Sequence, residues 1–342
     1  MFFSIIMPVR NGERFLREAV DSVLAQTFTD WELVCVNDAS TDSTADILRD
    51  YSKKDVRIKV VDANGNGVSA ARNKALGYAC GEYVAFMDGD DVLSSAWLQY
   101  AHGVIVRTNA DLLRCGRVLW FDGRDRPAPV EPTAEALYSG HDAVTWGINH
   151  FLSAGQVWQL FVRRSMLNGV IFPEELAVRE DVIFCLRLLG RIGTICDTDF
   201  KGYIYRLHNA SSWHGRRRVE DSAHYPLLLR NEICRLLDSV TDTSAIEAEY
   251  SKTLKNNLEE WVVFGGRRDC LRDKRVMDAT NEAMALGNGA LAWRLRDGLV
   301  GWTLKYRSLL VFSLVTRFLW RRARLRASVK TLLLRLLHRN GT

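Results

Sequence analysis

The chain has 342 residues, of which 47% are hydrophobic, enough for one large α/β domain with helical additions or for two domains. The net charge of +5 arises in residues 298–342, which hold ten Lys/Arg and no Asp/Glu, whereas a nucleic-acid-binding protein would show basic residues on a folded face. The seven cysteines are scattered and form no C-x-x-C pair, which argues against a disulfide framework or zinc ribbon and favours a reducing cytosol.

Strands and helices alternate through the first 120 residues. Apolar runs predict strands at 3–9, 31–37, 58–62 and 82–87, and amphipathic segments between them predict helices. The amino terminus has no basic leader before its apolar run, so we interpret it as a core strand. Such βαβ units form a mostly parallel sheet, whose ligands bind beyond the carboxyl ends of the strands. The polar residues expected along that rim are Asn11, Asp38, Asn64 and the cluster from Asp88 to Asp91.

The hexapeptide FMDGDD, residues 86–91, places three carboxylates within four positions. Their mutual repulsion indicates that a cation binds there, and Asp-x-Asp suits Mg²⁺ or Mn²⁺ together with phosphate oxygens. The alternative is a solvated acidic turn, with Gly89 at the bend and Asp91 capping the next helix. The chain lacks G-x-G-x-x-G after its first strand and has no G-x-x-x-x-G-K-[ST], which disfavours a pyrophosphate held by a glycine-rich turn.

Three stretches in order carry a resemblance: SIIMPVRNGERFLREAVDSVLAQTFTDWELVCVNDASTDSTADIL, GNGVSAARNKAL and GEYVAFMDGDD. From Ser4 to about Leu98 the chain resembles the donor-binding half of family 2 glycosyltransferases with the GT-A fold. It departs from the usual pattern at Arg10, commonly Tyr, and at Asn37, commonly Asp. The resemblance implies a GT-A type α/β fold, a mostly parallel sheet flanked by helices, followed here by a helical C-terminal extension.

The resemblance also implies the nucleotide contacts. Asp38 would bind the base, most often uracil, although an Asx turn opening a helix from Thr41 is the alternative. Arg72 is similar to the arginine that lies near the donor phosphates, and a solvated helix arginine is the alternative. The other donor-binding residues implied are Pro8, Val9, Asn11, Asp88 and Gly89.

The metal ligands follow from the same resemblance. Asp90 would be the main ligand of Mn²⁺ or Mg²⁺, and Asp88 would face the ribose or the metal, which leaves Asp91 a structural role. The segment YIYRLHNASS, residues 203–212, is similar to one that closes the donor site. In it His208 is a further metal ligand or diphosphate contact, or else structural, and Arg206 a diphosphate contact.

The acceptor half is predicted after a proline-rich loop at 122–133. The stretch from 157 to 190 resembles the acceptor side of the family, in which an acidic pair begins a helix. Glu180 and Asp181 could merely complement the helix dipole, at ~0.3–1 kcal/mol each. An inverting transfer, however, needs a base opposite the leaving diphosphate. By resemblance Asp181 is that base and Glu180 positions the acceptor, while Trp158 is either an acceptor platform or a core residue.

We divide the chain into a GT-A domain at 1–215, a helical extension at 216–297 and a basic amphipathic tail at 298–342. Within the domain, 1–121 is the nucleotide-sugar half and 122–215 the acceptor half. Arginines interrupt the tail too often for a spanning helix of ~20 apolar residues. Its apolar stripe flanked by basic residues suits an anionic membrane surface, and docking on protein is the alternative.

The expected function is metal-dependent, inverting transfer of a single sugar from a nucleotide sugar, a UDP-sugar, to a glycan or lipid-linked acceptor in cell-surface polysaccharide or glycoconjugate synthesis. We expect the protein to lie on the cytoplasmic face of the cell membrane. The Q-x-x-R-W motif of the family's processive synthases is absent, which favours one sugar per encounter. Two alternatives stay open: a non-catalytic nucleotide-binding module at the membrane, and a sugar nucleotidyltransferase, although its glycine-rich G-x-G-T-R-L loop is missing.

Overall fold

The computed structural model of the chain describes residues 1–208 and 225–237. The predicted alternation is confirmed, and each of the four predicted strands lies within one residue of its expected bounds. The elements are β1 (Phe3–Val9), α1 (Leu16–Leu24), β2 (Trp31–Asp38), α2 (Thr44–Lys54), β3 (Ile58–Ala63), α3 (Val68–Leu76) and β4 (Tyr83–Phe86).

The second part of the described chain is less regular and mixes short strands with longer helices. Single-turn 3₁₀ segments at Val157–Gln159 and Arg164–Leu167 flank the strand Leu160–Arg163. The elements are β5 (Val92–Leu93), α4 (Trp97–Thr108), β6 (Leu112–Arg114), β7 (Arg117–Phe121), β8 (Glu135–Ser139), α5 (Gly140–Ala154), β9 (Leu160–Arg163), α6 (Glu180–Leu189), β10 (Thr194–Thr198), β11 (Tyr203–Leu207) and α7 (Tyr225–Leu237).

Eight of the described strands form one sheet in the order β3-β2-β1-β4-β9-β6-β10-β8. The first four are parallel, with Ile5 of β1 opposite Leu33 of β2 and Ala85 of β4. β9 runs antiparallel to both of its neighbours, and β8 is antiparallel to β10, so the sheet is mixed beyond β4. The carboxyl ends of β1 to β4 therefore share one edge, as the alternation predicted.

The first strands are continuous apolar runs in the sequence because both of their faces are buried in the core. Every residue of β2 is buried, because helices cover both faces of a parallel sheet. α1 turns its apolar stripe, which includes Leu16, Val20 and Val23, into this core. The polar residues at the strand ends are thus attached to strands that are tightly packed in the core.

A second sheet in the described part of the chain, in the order β5-β11-β7, supports that rim. β11 is antiparallel to β5 and parallel to β7. β5 directly follows the acidic residues 88–91, so β11 lies beside them although it is more than 110 residues away in sequence.

Within residues 1–208 and 225–237, no helix is long and apolar enough to cross a membrane. The predicted tail at 298–342 lies outside the described residues, and of the predicted extension at 216–297 they include α7 alone. The domain boundaries, the nature of the tail and its membrane contact remain predictions.

Candidate active site

The acidic loop, residues 88–91, is anchored from below by β11. Asp91 is fully buried; its Oδ2 accepts the Tyr203 hydroxyl proton at 2.7 Å, and its Oδ1 accepts the Arg206 backbone N–H at 2.8 Å. The Tyr203 hydroxyl in turn accepts the backbone N–H of Asp88 at 3.1 Å. Burial, followed by the charges of Asp90 and Asp88, raises the pKa of Asp91 well above its usual range. Asp91 therefore anchors the loop, which is the structural role left to it.

Gly89 lets the loop close over the end of β1. A Cβ atom at this position would lie 2.9 Å from Cγ2 of the buried Val9, a distance that ordinary packing does not allow. Pro8 is half-buried in the same strand. The predicted donor-binding residues Pro8, Val9 and Gly89 are thus neighbours, and the glycine is required by sterics.

Asp90 and His208 form a pair at the rim. Nε2 of His208 lies 2.8 Å from Oδ2 of Asp90, and the imidazole packs against the Phe15 ring at 4.6 Å. Nδ1 of His208 is buried and has no hydrogen-bond partner among the described residues. Asp88 does not join this pair, because its Oδ1 lies 3.1 Å from the Arg72 guanidinium. In the described part of the chain, no three His, Cys, Asp or Glu residues are arranged to hold a metal.

Arg206 supports the acidic loop from inside the protein. Its guanidinium lies between the rings of Phe15 and Trp120, at 4.7 and 3.9 Å from their centres. Nε donates to the Asp90 carbonyl at 2.8 Å, and the side chain pairs with Glu18 of α1. The predicted diphosphate contact is thus a buried residue whose described partners belong to the protein. Sequence reasoning missed Glu18, which no motif distinguishes from other acidic residues on a helix.

Arg72 forms ion pairs with carboxylates from both the nucleotide-sugar half and the acceptor half of the domain. Its NH1 donates to Glu180 at 2.9 Å and to Asp181 at 2.8 Å, and its NH2 donates to Asp88 at 3.1 Å. Burial favours the neutral guanidine, yet the charges of Asp181, Asp88 and Glu180 outweigh it and raise the pKa of Arg72. The alternative of a solvated helix arginine is wrong, because the side chain is 4% exposed.

The acidic pair begins α6, where the sequence places it. Arg179, the residue before the helix, has a positive φ of 65°, and the chain turns sharply there. Burial raises the pKa of Asp181 well above its usual range; Arg72 opposes this shift, and Glu180 and Asp88 add to it. Burial likewise raises the pKa of Asp88. A carboxylate with a raised pKa is a better proton acceptor at neutral pH than an ordinary one.

Asp38 orders the loop before α3. Its two carboxylate oxygens accept the backbone N–H groups of Gly65 at 2.9 Å and Gly67 at 3.0 Å. The N–H of Thr41 donates instead to Oδ1 of Asn11 at 2.8 Å, so the alternative role of Asp38, an Asx turn opening the helix from Thr41, is wrong. α2 accordingly begins three residues later than that alternative required. Asp38 and Asn11 both lie at the predicted rim, and Asn64 is exposed in the same loop.

Trp158 belongs to the core. It is 5% exposed, and its ring stacks on Tyr203 at 4.7 Å and on Tyr205 at 5.3 Å. Of the two roles that the sequence left open, the core residue is therefore observed.

A cavity of about 510 Å³ lies behind the acidic loop, between α1, the start of α4 and the loop at 122–133. Its lining includes Glu18, Ser94 and Arg126, and none of the predicted donor, metal or acceptor residues. The candidate active site is therefore the carboxylate cluster at the rim and not this cavity.

Residues 4–162 match the sequence model of the family described as Glycosyl transferase family 2. This part of the chain is therefore similar to family 2 glycosyltransferases, and the resemblance found in the sequence is confirmed. The match covers the strands β1 to β9 and ends before Glu180 and Asp181.

Characterised and uncharacterised bacterial proteins are similar to this chain. The uncharacterized glycosyltransferase EpsJ of Bacillus subtilis (strain 168) is 34% identical over 209 residues, which are 59% of this chain and 60% of that protein. The poly(ribitol-phosphate) beta-N-acetylglucosaminyltransferase TarS of Staphylococcus aureus (strain Mu50 / ATCC 700699) is 30% identical over 209 residues, 60% of this chain and 35% of TarS. The chain thus spans less than two thirds of the length of these relatives.

Solved structures of S. aureus TarS share the fold. Residues 1–349 of TarS in complex with UDP-GlcNAc superpose with a TM-score of 0.69 at 22% identity, covering 95% of this chain and 92% of that one. The complex of the same fragment with UDP gives a TM-score of 0.68. The expected α/β fold of GT-A type, with a central sheet flanked by helices, is confirmed.

Proposed function

We propose that the chain is an inverting, metal-dependent glycosyltransferase that transfers a single sugar from a UDP-sugar to a glycan or lipid-linked acceptor, in cell-surface polysaccharide or glycoconjugate synthesis. One observation carries this proposal: the acidic loop after β4 and the acidic pair of α6 meet on the Arg72 guanidinium. An inverting displacement needs groups on opposite sides of the reacting carbon, and the two clusters would serve these two sides of the transfer. The UDP-GlcNAc bound to TarS supports a UDP-sugar as the donor.

The nucleotide would bind at the carboxyl ends of β1 and β2. Asp38 accepts two backbone N–H groups, and a carboxylate has about four acceptor positions, so it can also accept an N–H from the base. Pro8 and Val9 at the end of β1, and Asn11 just after it, would line the pocket for the base and the ribose. Gly89 lets the acidic loop pack closely against Val9, and the loop would contact the donor from that position.

The acidic loop fits Mn²⁺ or Mg²⁺ by the chemistry of its donors. Asp90 offers a carboxylate and His208 an imidazole nitrogen 2.8 Å away, and Asp88 lies in the same loop. Oxygen ligands suit both ions, and the imidazole favours Mn²⁺. Bound there, a divalent cation would neutralise charge on the leaving diphosphate. Asp90 and His208 would hold it, with Asp88 as a second carboxylate shared with Arg72.

Asp181 would act as the base. It would take the proton of the acceptor hydroxyl while that oxygen forms a bond to C1 of the sugar and the bond from C1 to the diphosphate breaks, which inverts the configuration at C1. Its raised pKa suits this task near neutral pH. Glu180, which shares the NH1 group of Arg72, would position the acceptor.

We further propose that the protein works on the cytoplasmic face of the cell membrane. The basic and apolar pattern of 298–342 supports binding to an anionic surface, where each basic residue contributes ~1 kcal/mol. A lipid-linked acceptor would lie at the same surface.

The test begins with thermal melting in UDP-, GDP- and dTDP-sugars, with Mn²⁺ and with chelator, because a ligand of the folded state raises the melting temperature. The stabilising donor is then offered with glycan and lipid-linked acceptors. Asp181→Asn should lower transfer at least ~10²-fold and leave donor affinity nearly unchanged. Asp50→Asn, on the exposed face of α2, is the matched control.

Two results would contradict these roles. Donor binding without turnover on any acceptor would indicate a non-catalytic nucleotide-binding module. Near-normal turnover in Asp181→Asn, together with a loss in Glu180→Gln, would exchange the two carboxylates.

A further inference from the structure

One guanidinium connects the donor side of the candidate site to its acceptor side. Arg72 on α3 reaches Glu180 and Asp181, which lie 108 and 109 positions later in the chain, and Asp88 of the acidic loop. The three distances lie between 2.8 and 3.1 Å, so each is a hydrogen-bonded ion pair. The relative position of these carboxylates is therefore set through Arg72.

An aromatic cluster fixes the direction of this side chain. The guanidinium carbon lies 5.3 Å from the centre of the Phe172 ring, and Phe172 stacks on Phe184 of α6 at 3.8 Å. Phe86 of β4 packs edge-on against both rings, at 5.6 and 5.7 Å. The cluster thus joins the strand before the acidic loop to the helix that carries the acidic pair. It holds the guanidinium between them.

The shape of arginine is needed for this connection. NH1 serves the acidic pair and NH2 serves Asp88, and the planar fork holds these two nitrogens apart. The single ammonium of lysine cannot donate along both directions at the same distances. Three carboxylates also face one positive charge, so loss of the arginine would leave them repelling one another in a largely buried position.

We propose that Arg72 is a positioning residue for the acceptor-side base, which it holds at one fixed geometry relative to the acidic loop. This inference rests on the proposed function and deepens it. It differs from the phosphate contact implied by the family resemblance. A phosphate contact would act chiefly on the affinity for the donor, whereas a positioning residue acts on turnover, because the base is used only in the reaction.

Kinetics of Arg72→Lys separate the two roles. We expect kcat to fall about 100-fold, the usual cost of a displaced catalytic group, with the donor KM nearly unchanged. The acid limb of the kcat profile should move to higher pH, because Asp181 would lose part of its ion pair with Arg72 and retain Glu180, Asp88 and the Cys185 thiol as neighbours. Arg49→Lys, an exposed pair with Asp46 on α2, is the matched control. A raised donor KM with an unchanged kcat would overturn the inference.

A second measurement is independent of turnover. In protein labelled at the aspartate carboxyl carbons with ¹³C, the Asp181 resonance is assigned by its loss in Asp181→Asn. Its titration should move to higher pH by about 1 to 3 units in Arg72→Gln, since an opposite charge within hydrogen-bonding distance shifts a carboxyl by that amount. Phe172→Leu, which keeps the charge but loosens its support, should give a smaller shift in the same direction. Melting curves establish that each variant is folded.

The two measurements distinguish the possible failures. An unshifted Asp181 resonance in Arg72→Gln would overturn the positioning role even if the wild-type protein transfers sugar. A shifted resonance in a protein that transfers no sugar would uphold the connection between Arg72 and Asp181 and would refute the proposed function.

Discussion

Replacing Tyr203 by phenylalanine would remove a single oxygen atom from beneath the acidic loop. That hydroxyl donates to Asp91 at 2.7 Å and accepts the Asp88 backbone N–H at 3.1 Å. The ring, which stacks on Trp158 at 4.7 Å, stays in place. Tyr203→Phe therefore tests two hydrogen bonds with little change in packing.

The cost follows from what each partner loses. A hydrogen bond to a charged group is worth about 1.5–3 kcal/mol, and a buried N–H left without a partner costs about 1–3 kcal/mol. Asp91 keeps its bond from the Arg206 N–H, which favours the lower end of both ranges. We expect the free energy of unfolding to fall by about 3 kcal/mol. For a domain of this size the melting temperature would then fall by about 6–12 °C.

Thermal and urea unfolding of Tyr203→Phe and Tyr83→Phe measure this difference. Tyr83 is equally buried, but its hydroxyl donates to the neutral carbonyl of Ala110 at 2.8 Å, so its loss should cost about 1 kcal/mol. The cost of Tyr203→Phe should also shrink as the pH falls, because the lost donor stabilised the ionised form of Asp91. Equal costs for the two variants, at every pH, would refute the view that Tyr203 supports a buried carboxylate.

Further changes test the rim and the tail. Asp90→Asn should abolish transfer and Mn²⁺-dependent donor binding while the melting temperature stays the same or rises, because the neutral side chain no longer repels Asp88 and Asp91. Turnover of the wild type in excess chelator would contradict this. The pKa of Asp181 is raised in the folded state, so the unfolded chain ionises more readily than the folded protein above about pH 4, and the free energy of unfolding falls as the pH rises. Asp181→Asn lacks this penalty and should melt at a higher temperature than the wild type near neutral pH, with a difference that disappears toward pH ~4. A difference independent of pH would count against a buried carboxylate. Gly89→Ala should lower the melting temperature and weaken donor binding, because its Cβ would meet Val9 at 2.9 Å. Deleting 305–342 should release the protein from anionic vesicles, measured by co-sedimentation, and spare transfer to a soluble acceptor; a lower melting temperature with no vesicle preference would indicate docking on protein instead.

The sequence alone determined the first half of the fold and the identity of the rim. Each of β1 to β4 is a short apolar run followed by a polar turn, and both signals are local. Parallel strands joined by helices must end at one edge, so Asp38 and the acidic loop could be assigned to it without any long-range contact. The start of α6 at Glu180 was predictable for the same reason, because an acidic pair before an amphipathic run is a helix-start signal.

Tertiary structure decided what each side chain at the rim contacts. Arg72 could have been a solvated helix residue, and only the chain path between α3 and α6 makes it a partner of Asp181. Trp158 was equally compatible with a surface platform, until the packing of β11 enclosed it beside Tyr203. The antiparallel β9 lies next to β4, and β11 supports Asp91, so these contacts join residues 76 to 115 positions apart. Hydrophobic periodicity reports which face of an element is buried but not which distant element covers it, and these contacts depend on that choice.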